Sequence, residues 1–112
     1  MPNRVPSDPL TFIQEAVRAR RVYWTYHVSM RLKERFIERQ MILNAIDTFE
    51  LIETYPDDKY LPSYLLYGRC EGEEFHVLFA VDVQEQNVRV VTAYRPDKSD
   101  WGRDLRWRRR KK

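Results

Sequence analysis

The spacing of the apolar residues changes at Glu50, and this change limits the folds that the chain can adopt. Before Glu50 the apolar residues recur every three or four positions, which is the period of a helix packed on one side. After it they alternate with polar residues in short segments bounded by turn residues, which is typical of strands. A block of helices followed by a block of strands predicts an α+β domain, with the helices against one face of a sheet.

The helical part is predicted to contain three helices. An Asp-Pro pair at positions 8 and 9 indicates the start of the first helix, which is expected to end near Arg20. The aromatic and β-branched segment 22–26 predicts a short strand or an extended link. A second helix then carries residues 27–35, and a third is expected over about 38–48.

The strand part predicts a three- to four-stranded antiparallel meander, because its turns are too short for crossover connections. The predicted strands are 51–55, 63–71, 75–83 and 88–94. In the third of these strands, alternation predicts a core face under the helices and a second, partly open face. The core face would hold Phe75, Val77, Phe79, Val81 and Val83, and the open face His76, Leu78, Ala80 and Asp82.

Composition excludes several classes of protein. A chain of 112 residues with 43% hydrophobic content is the size of one domain and is too apolar to be disordered. Its longest apolar run, residues 77–81, is far shorter than the roughly 20 residues that cross a bilayer. Residues 1–9 lack the apolar stretch of a secretory signal, so we expect a cytoplasmic protein without membrane contact.

The metal-ligating residue types are few. Cys70 is the only cysteine, which excludes an intrachain disulfide and a cysteine-based zinc site. The two histidines, His27 and His76, are 49 positions apart, and neither has a carboxylate at metal-ligand spacing. We therefore expect no metal and no cofactor.

Positive charge is concentrated at the C-terminal end. Residues 103–112 hold seven of the 20 basic residues and one of the 17 acidic residues, whereas the net charge of the whole chain is +3. We predict a domain over residues 1–102 and a basic tail over 103–112, in which Arg106, Trp107 and Arg108 contact RNA. A solvated tail, or a strand that docks on a partner, is the alternative.

His27, Arg31 and Arg35 recur at every fourth position in the second predicted helix. They fall within an arc of about 80° on one helix face, so that a proton-transfer group lies beside two fixed cations. Such a set suits RNA cleavage, in which His27 acts as acid or base and the two guanidiniums clamp the scissile phosphate. The alternative is a solvated face in which the arginines pair with Glu34 or Glu38.

Several short motifs occur in a recognisable order. They are His27, Arg31 and Arg35 at their fixed spacing, PSYLLYG at 62–68, FHV at 75–77, VVTAY at 90–94, Pro96 and Trp101. Together they resemble a small bacterial family of uncharacterised domains that is grouped with the RelE, ParE and BrnT-like toxins of type II toxin-antitoxin systems. The similarity covers about residues 22–101.

The resemblance implies a RelE-like toxin fold and a cognate antitoxin protein as the partner. In related families the activity is metal-independent cleavage of RNA, often of mRNA on the ribosome, whereas ParE-type toxins inhibit a DNA topoisomerase. The fold does not choose between these activities. One departure is that Phe36 follows the second arginine, where the family commonly has glycine.

Further candidate residues lie in the strand part and after it. His76 matches the family pattern and is predicted to supply the second proton-transfer group, and Tyr94 to stack on a base or donate to phosphate. The alternatives are a buried histidine bonded to a backbone carbonyl and a half-buried aromatic residue. Arg95 and Lys98 are candidates for phosphate contacts, and Trp101 either binds a base or closes the edge of the core.

We therefore predict a toxin of a type II system that acts as a metal-independent endoribonuclease and inhibits translation. Two other classes stay open, which are a non-catalytic toxin that blocks a topoisomerase and a small RNA-binding module. The sequence indicates neither the RNA target nor the oligomeric state.

Overall fold

The computed structural model describes residues 4–97, 101–102 and 105–106. Within these ranges the chain forms three α-helices, a 3-10 helix at Ile46–Thr48 and one five-stranded sheet. The helices are α1 (Pro9–Arg18), α2 (Tyr26–Glu34) and α3 (Arg39–Asn44). The strands are β1 (Val22–Trp24), β2 (Glu50–Tyr55), β3 (Ser63–Cys70), β4 (Glu73–Asp82) and β5 (Asn87–Tyr94).

The sheet has the order β1-β5-β4-β3-β2 and confirms the α+β class. Strands β2 to β5 form the predicted antiparallel meander. The prediction of a three- to four-stranded, purely antiparallel sheet was wrong, because β1 adds a fifth strand that runs parallel to β5. The chain leaves α1 along the outer edge of β5, where Val22 pairs with Val88 and Trp24 with Val90. The edge groups of β5 thereby find hydrogen-bond partners instead of facing solvent.

The predicted start of α1 is confirmed. The Asp8 carboxylate accepts a hydrogen bond from the Thr11 backbone N–H at 3.1 Å and another from the Thr11 hydroxyl at 2.8 Å. These bonds to the backbone and then to the hydroxyl lower the pKa of Asp8, because they stabilise its charged form. Asp8 thus satisfies an N–H group that the first helical turn leaves without a partner.

The residue that departs from the family pattern, Phe36, lies two positions after the end of α2. Phe36 has a φ of 55°, the left-handed conformation that glycine adopts most easily. The Phe36 N–H bonds to the Lys33 carbonyl at 3.2 Å, and the Ile37 N–H to the Leu32 carbonyl at 2.9 Å. This pair of bonds is the Schellman arrangement, which explains why a glycine suits this position.

The two faces of β4 follow the predicted alternation. Phe75, Val77, Phe79 and Val81 are fully buried in the core between the sheet and the helices. A smaller apolar cluster forms on the opposite face, where Trp101 and Leu105 pack against Leu65 and Tyr67 of β3. Its members cover one end of that face and leave the other end open.

No helix in the part of the chain that the structure describes combines the length and the apolar composition needed to cross a bilayer.

Candidate functional site

Helix α2 presents to solvent two of the three catalytic residues that were predicted on it. Its buried residues, Val28 and Leu32, hold it against the core, so His27 and Arg31 lie on its exposed side. Within the described ranges, neither the His27 imidazole nor the Arg31 guanidinium makes a hydrogen bond or an ion pair. The ring of Tyr26 is the aromatic neighbour of His27, with its centroid 6.3 Å away. Both polar groups are therefore accessible to a ligand.

Arg35 is held differently from Arg31. It is half-buried at the end of α2, and its Nη1 donates to the Ala93 carbonyl at 2.8 Å and to the Thr92 hydroxyl at 3.1 Å. These acceptors lie on β5 beyond its pairing with β1, so Arg35 occupies a stretch of sheet edge where no strand of the described residues pairs with β5. The guanidinium fixes α2 to β5, and its predicted partners Glu34 and Glu38 are not involved.

His27 borders a cleft with a volume of about 540 Å³. The first turn of α2 forms one wall and residues 58–61 form the other. Leu78 and Ala80, on the open face of β4, belong to the floor. Arg31 and Arg35 do not line the cleft, so the helix face predicted as one site contributes only its N-terminal member here.

Positive charge predominates around the cleft. Lys59 and Arg89 lie along its lining, and Asp58 is the one carboxylate that the described residues contribute to it; this carboxylate accepts a hydrogen bond from the Ser63 hydroxyl. Arg89 is 3.9 Å from the Asp82 carboxylate, and its side chain remains 52% exposed. The N-terminus of α2, whose backbone dipole is positive, also faces this space. The cleft therefore favours an anionic ligand.

An aromatic side chain stands at the same opening. Tyr60 is 82% exposed, and the Lys59 ammonium lies 5.4 Å from its ring centroid. The tyrosine ring thus has a free surface above a floor that contains the apolar side chains of Leu78 and Ala80. An aromatic group beside cations is the usual combination in sites for single-stranded nucleic acid.

Residues 24–95 match the family model described as a domain of unknown function, DUF4258. The chain belongs to the DUF4258 family. No curated protein and no solved structure matches the chain. The match spans α2, β5 and the whole cleft, and it leaves out α1 and the residues after Arg95. Membership of a small uncharacterised family is thus confirmed, whereas a relation to toxins stays a prediction.

His76 is buried in the domain and does not line the cleft. It has no exposed surface, and its Nε2 is 2.5 Å from the Leu105 carbonyl oxygen. Because a carbonyl only accepts, Nε2 carries the proton and Nδ1 accepts from the Tyr94 hydroxyl at 3.3 Å. The Trp101 ring packs edge-on at 4.3 Å. This geometry agrees with the alternative of a buried histidine bonded to a backbone carbonyl.

Tyr94 and Trp101 belong to the same enclosed cluster. Tyr94 is half-buried and its ring centroid is 5.4 Å from that of His76, while Trp101 is 3% exposed. Neither lines the cleft. Both positions fit the alternatives of a half-buried aromatic residue and a residue that closes the core.

Two of the predicted RNA-binding arginines, Arg95 and Arg106, make contacts within the domain. Arg95 donates to the carbonyls of Arg35 and Phe36 at the end of α2, and to the Glu73 carboxylate at 3.1 Å. A cation at this position also offsets the negative end of the helix dipole. Arg95 therefore ties α2 to the start of β4.

Arg106 forms a two-point ion pair with Glu50, at 3.0 and 2.7 Å, and its guanidinium lies 4.1 Å from the Tyr67 ring centroid. Leu105, its neighbour, is buried, so these two residues of the predicted tail lie against the sheet. Lys98, Trp107 and Arg108 lie outside the described residues.

Three residues of the cleft were missed by the sequence analysis: Lys59, Tyr60 and Arg89. Arg89 carried a usable signal, because it interrupts an apolar strand at a position that pairs with Ala80 on the open face of the sheet. Lys59 and Tyr60 follow two aspartates in a polar segment, which resembles an ordinary turn. In the described ranges, no group of three His, Cys, Asp or Glu side chains is placed to hold a metal ion.

Proposed function

We propose that this DUF4258 protein is the toxin of a type II toxin-antitoxin system and that it cleaves RNA without a metal ion. The observation that carries the proposal is the exposed imidazole of His27 at the border of a cleft that Lys59 and Arg89 make positive. Helices packed on one face of an antiparallel meander also suit a RelE-like fold. Fold likeness alone does not assign an activity, so the proposal rests on the site.

In the proposed reaction, the imidazole of His27 accepts the proton of a ribose 2′-hydroxyl. The 2′-oxygen bonds to phosphorus, the bond to the 5′-oxygen breaks, and that oxygen takes up a proton from water. The products are a 2′,3′-cyclic phosphate and a 5′-hydroxyl. Arg31, one turn along α2, supplies positive charge for the phosphorane-like transition state, and Arg89, across the cleft, attracts the RNA backbone.

The structure changes the parts played by two of the predicted residues. Arg35 is a positioning residue in this proposal, since its guanidinium holds α2 against β5. No proton transfer is assigned to His76, because it is fully buried and both of its ring nitrogens have partners. Its role is to hold the segment at Trp101 and Leu105 on the sheet.

Induced expression in a bacterial host tests this function. The intact chain should arrest growth and generate new RNA ends, and His27→Ala should relieve both effects while the protein remains folded. Lys33→Ala is the matched control, because Lys33 is an exposed residue of the same helix that lies outside the cleft. Full toxicity of His27→Ala would remove the proposed role of the imidazole.

A second candidate is a non-catalytic toxin that blocks a protein target such as a topoisomerase. It is favoured by exposed apolar side chains on and after α2, namely Tyr26 (76%), Met30 (43%) and Phe36 (83%). Exposed apolar groups of this kind mark protein-binding surfaces when they are contiguous. This candidate predicts intact RNA and a DNA-damage response, and it predicts that Tyr26→Ala, rather than His27→Ala, relieves toxicity.

In either case the proposed partner is an antitoxin that covers α2 with acidic side chains. A simple RNA-binding module is the third possibility. Deletion of residues 107–112, which leaves the packed Leu105 and Arg106 in place, separates it from the toxin. A module of this kind would lose salt-dependent RNA binding, whereas the toxin would remain active.

A further inference from the structure

The cleft beside α2 has the size and lining of a site for one nucleotide. Its volume of about 540 Å³ falls within the range of small-molecule sites, roughly 300–1,000 Å³. A volume of this size suits a single nucleotide rather than a base pair. A ligand must therefore enter as a single unit or as one unpaired residue of a strand.

One part of the cleft suits a planar, apolar group. Leu78 and Ala80 present small apolar surfaces from β4, and the Tyr60 ring stands at the opening with 82% of its surface exposed. The rest of the chain buries little of the Tyr60 ring, so a nucleobase can stack on its exposed surface. Stacking of this kind tolerates any base, since every base has a π-face.

Another part of the cleft suits an anion. Arg89 approaches the Asp82 carboxylate only to 3.9 Å, which is longer than a hydrogen bond, so its guanidinium can turn to a ligand at little cost. Lys59 lies beside Tyr60, and its ammonium is exposed along with it. The carboxylate of Asp58 is engaged by Ser63 and opposes an anion less than a free carboxylate would.

We propose that this cleft binds one unstacked nucleotide of single-stranded RNA, with the base between Tyr60 and the floor at Leu78 and Ala80. The phosphate of that nucleotide contacts Arg89 and Lys59, and the neighbouring phosphodiester lies at His27. This inference rests on the proposed function, because it assigns the RNA substrate of the same site. The inference adds that cleavage requires an unpaired nucleotide at the cut and that Tyr60 and Arg89 hold this nucleotide.

Binding of the four ribonucleoside 3′-monophosphates to the purified full chain, measured by calorimetry, tests the inference. All four should bind, and Tyr60→Ala and Arg89→Ala should each weaken binding at least tenfold. Tyr23→Ala and Arg69→Ala are matched controls, because Tyr23 and Arg69 are exposed strand residues outside the cleft. They should bind like the unaltered chain, and a melting curve for each variant verifies its fold.

Three outcomes would overturn the site: no binding of any nucleotide, equal binding by the cleft variants and the controls, or binding of inorganic phosphate as tight as that of the nucleotides. A second measurement separates this inference from the proposed function. If nucleotides bind as expected but the chain leaves RNA intact, the ribonuclease fails and the nucleotide site stands. If RNA is cut but Tyr60→Ala and Arg89→Ala leave KM unchanged, the ribonuclease stands and the nucleotide site fails.

Discussion

Arg31 and Arg35 occupy successive turns of one helix and had the same predicted role, yet the structure gives them different environments. Arg31 is exposed and its guanidinium makes no polar contact within the described ranges, whereas the Arg35 guanidinium donates two hydrogen bonds to β5. We expect Arg35→Ala to reduce the stability of the fold. Arg31→Ala should leave stability unchanged and should reduce RNA cleavage.

The size of the difference follows from these contacts. A hydrogen bond from a charged group contributes roughly 1.5–3 kcal/mol when buried, and partial exposure of Arg35 reduces this. Loss of both bonds should therefore cost about 2 kcal/mol. For a domain of this size the cost corresponds to a fall in Tm on the order of 8 °C. An exposed substitution such as Arg31→Ala should stay within about 0.5 kcal/mol of the unaltered chain.

Urea unfolding of the two variants, followed by circular dichroism, measures both free energies under one set of conditions. Arg35→Lys is a useful control, because it keeps the charge but its ammonium ends one bond short of the position of Nη1, the atom that donates both hydrogen bonds. It should recover only part of the loss. Equal stability of Arg31→Ala and Arg35→Ala would refute the assignment of Arg35 as the residue that fixes α2 to β5.

Three further predictions concern the fold around the site. Phe36→Gly should stabilise the domain by about 1 kcal/mol in thermal unfolding, because Phe36 has a φ of 55°, which glycine adopts without strain, and its side chain is 83% exposed. Phe36→Ala keeps a Cβ atom and should not stabilise the domain. Tyr64→Phe should raise stability by about 1 kcal/mol, since the Tyr64 hydroxyl is buried without a hydrogen-bond partner among the described residues. Burial also raises the pKa of Tyr64 above its usual 10.0. Above pH 10 the Tyr64 hydroxyl therefore ionises in the unfolded chain before it does so in the folded one, so stability should be constant below pH 10 and fall above it. Tyr64→Phe should flatten this fall. Thr25→Ala should lower the free energy of unfolding by about 1 kcal/mol, because the Thr25 hydroxyl accepts from the Val28 N–H at 3.1 Å, and Thr25→Ser should restore it.

Local signals in the sequence were sufficient for most elements of the fold. The Asp8 cap, the alternation in β4 and the short turns between β3, β4 and β5 all depend on residues close in the chain. The parallel pairing of β1 with β5 depends instead on two segments more than 60 positions apart. A strand of three residues carries too little pattern to reveal such a partner.

The candidate site was predictable only where it lies on one element. The spacing of His27, Arg31 and Arg35 locates them on α2, but it does not show that β5 provides acceptors for Arg35 alone. Lys59 and Arg89 line the same cleft as His27 because of the order of the strands in the sheet, and the sequence does not reveal that order. The burial of His76 depends likewise on a C-terminal segment that folds back over β4.

The most direct test of the central claim is the chemistry of the RNA ends. Purified protein should cut single-stranded RNA in the presence of a metal chelator and leave 2′,3′-cyclic phosphate ends, and His27→Ala should abolish these ends while it keeps the melting temperature of the unaltered chain. Cyclic phosphate ends that persist in folded His27→Ala, or RNA that stays intact with the unaltered chain, would contradict the account.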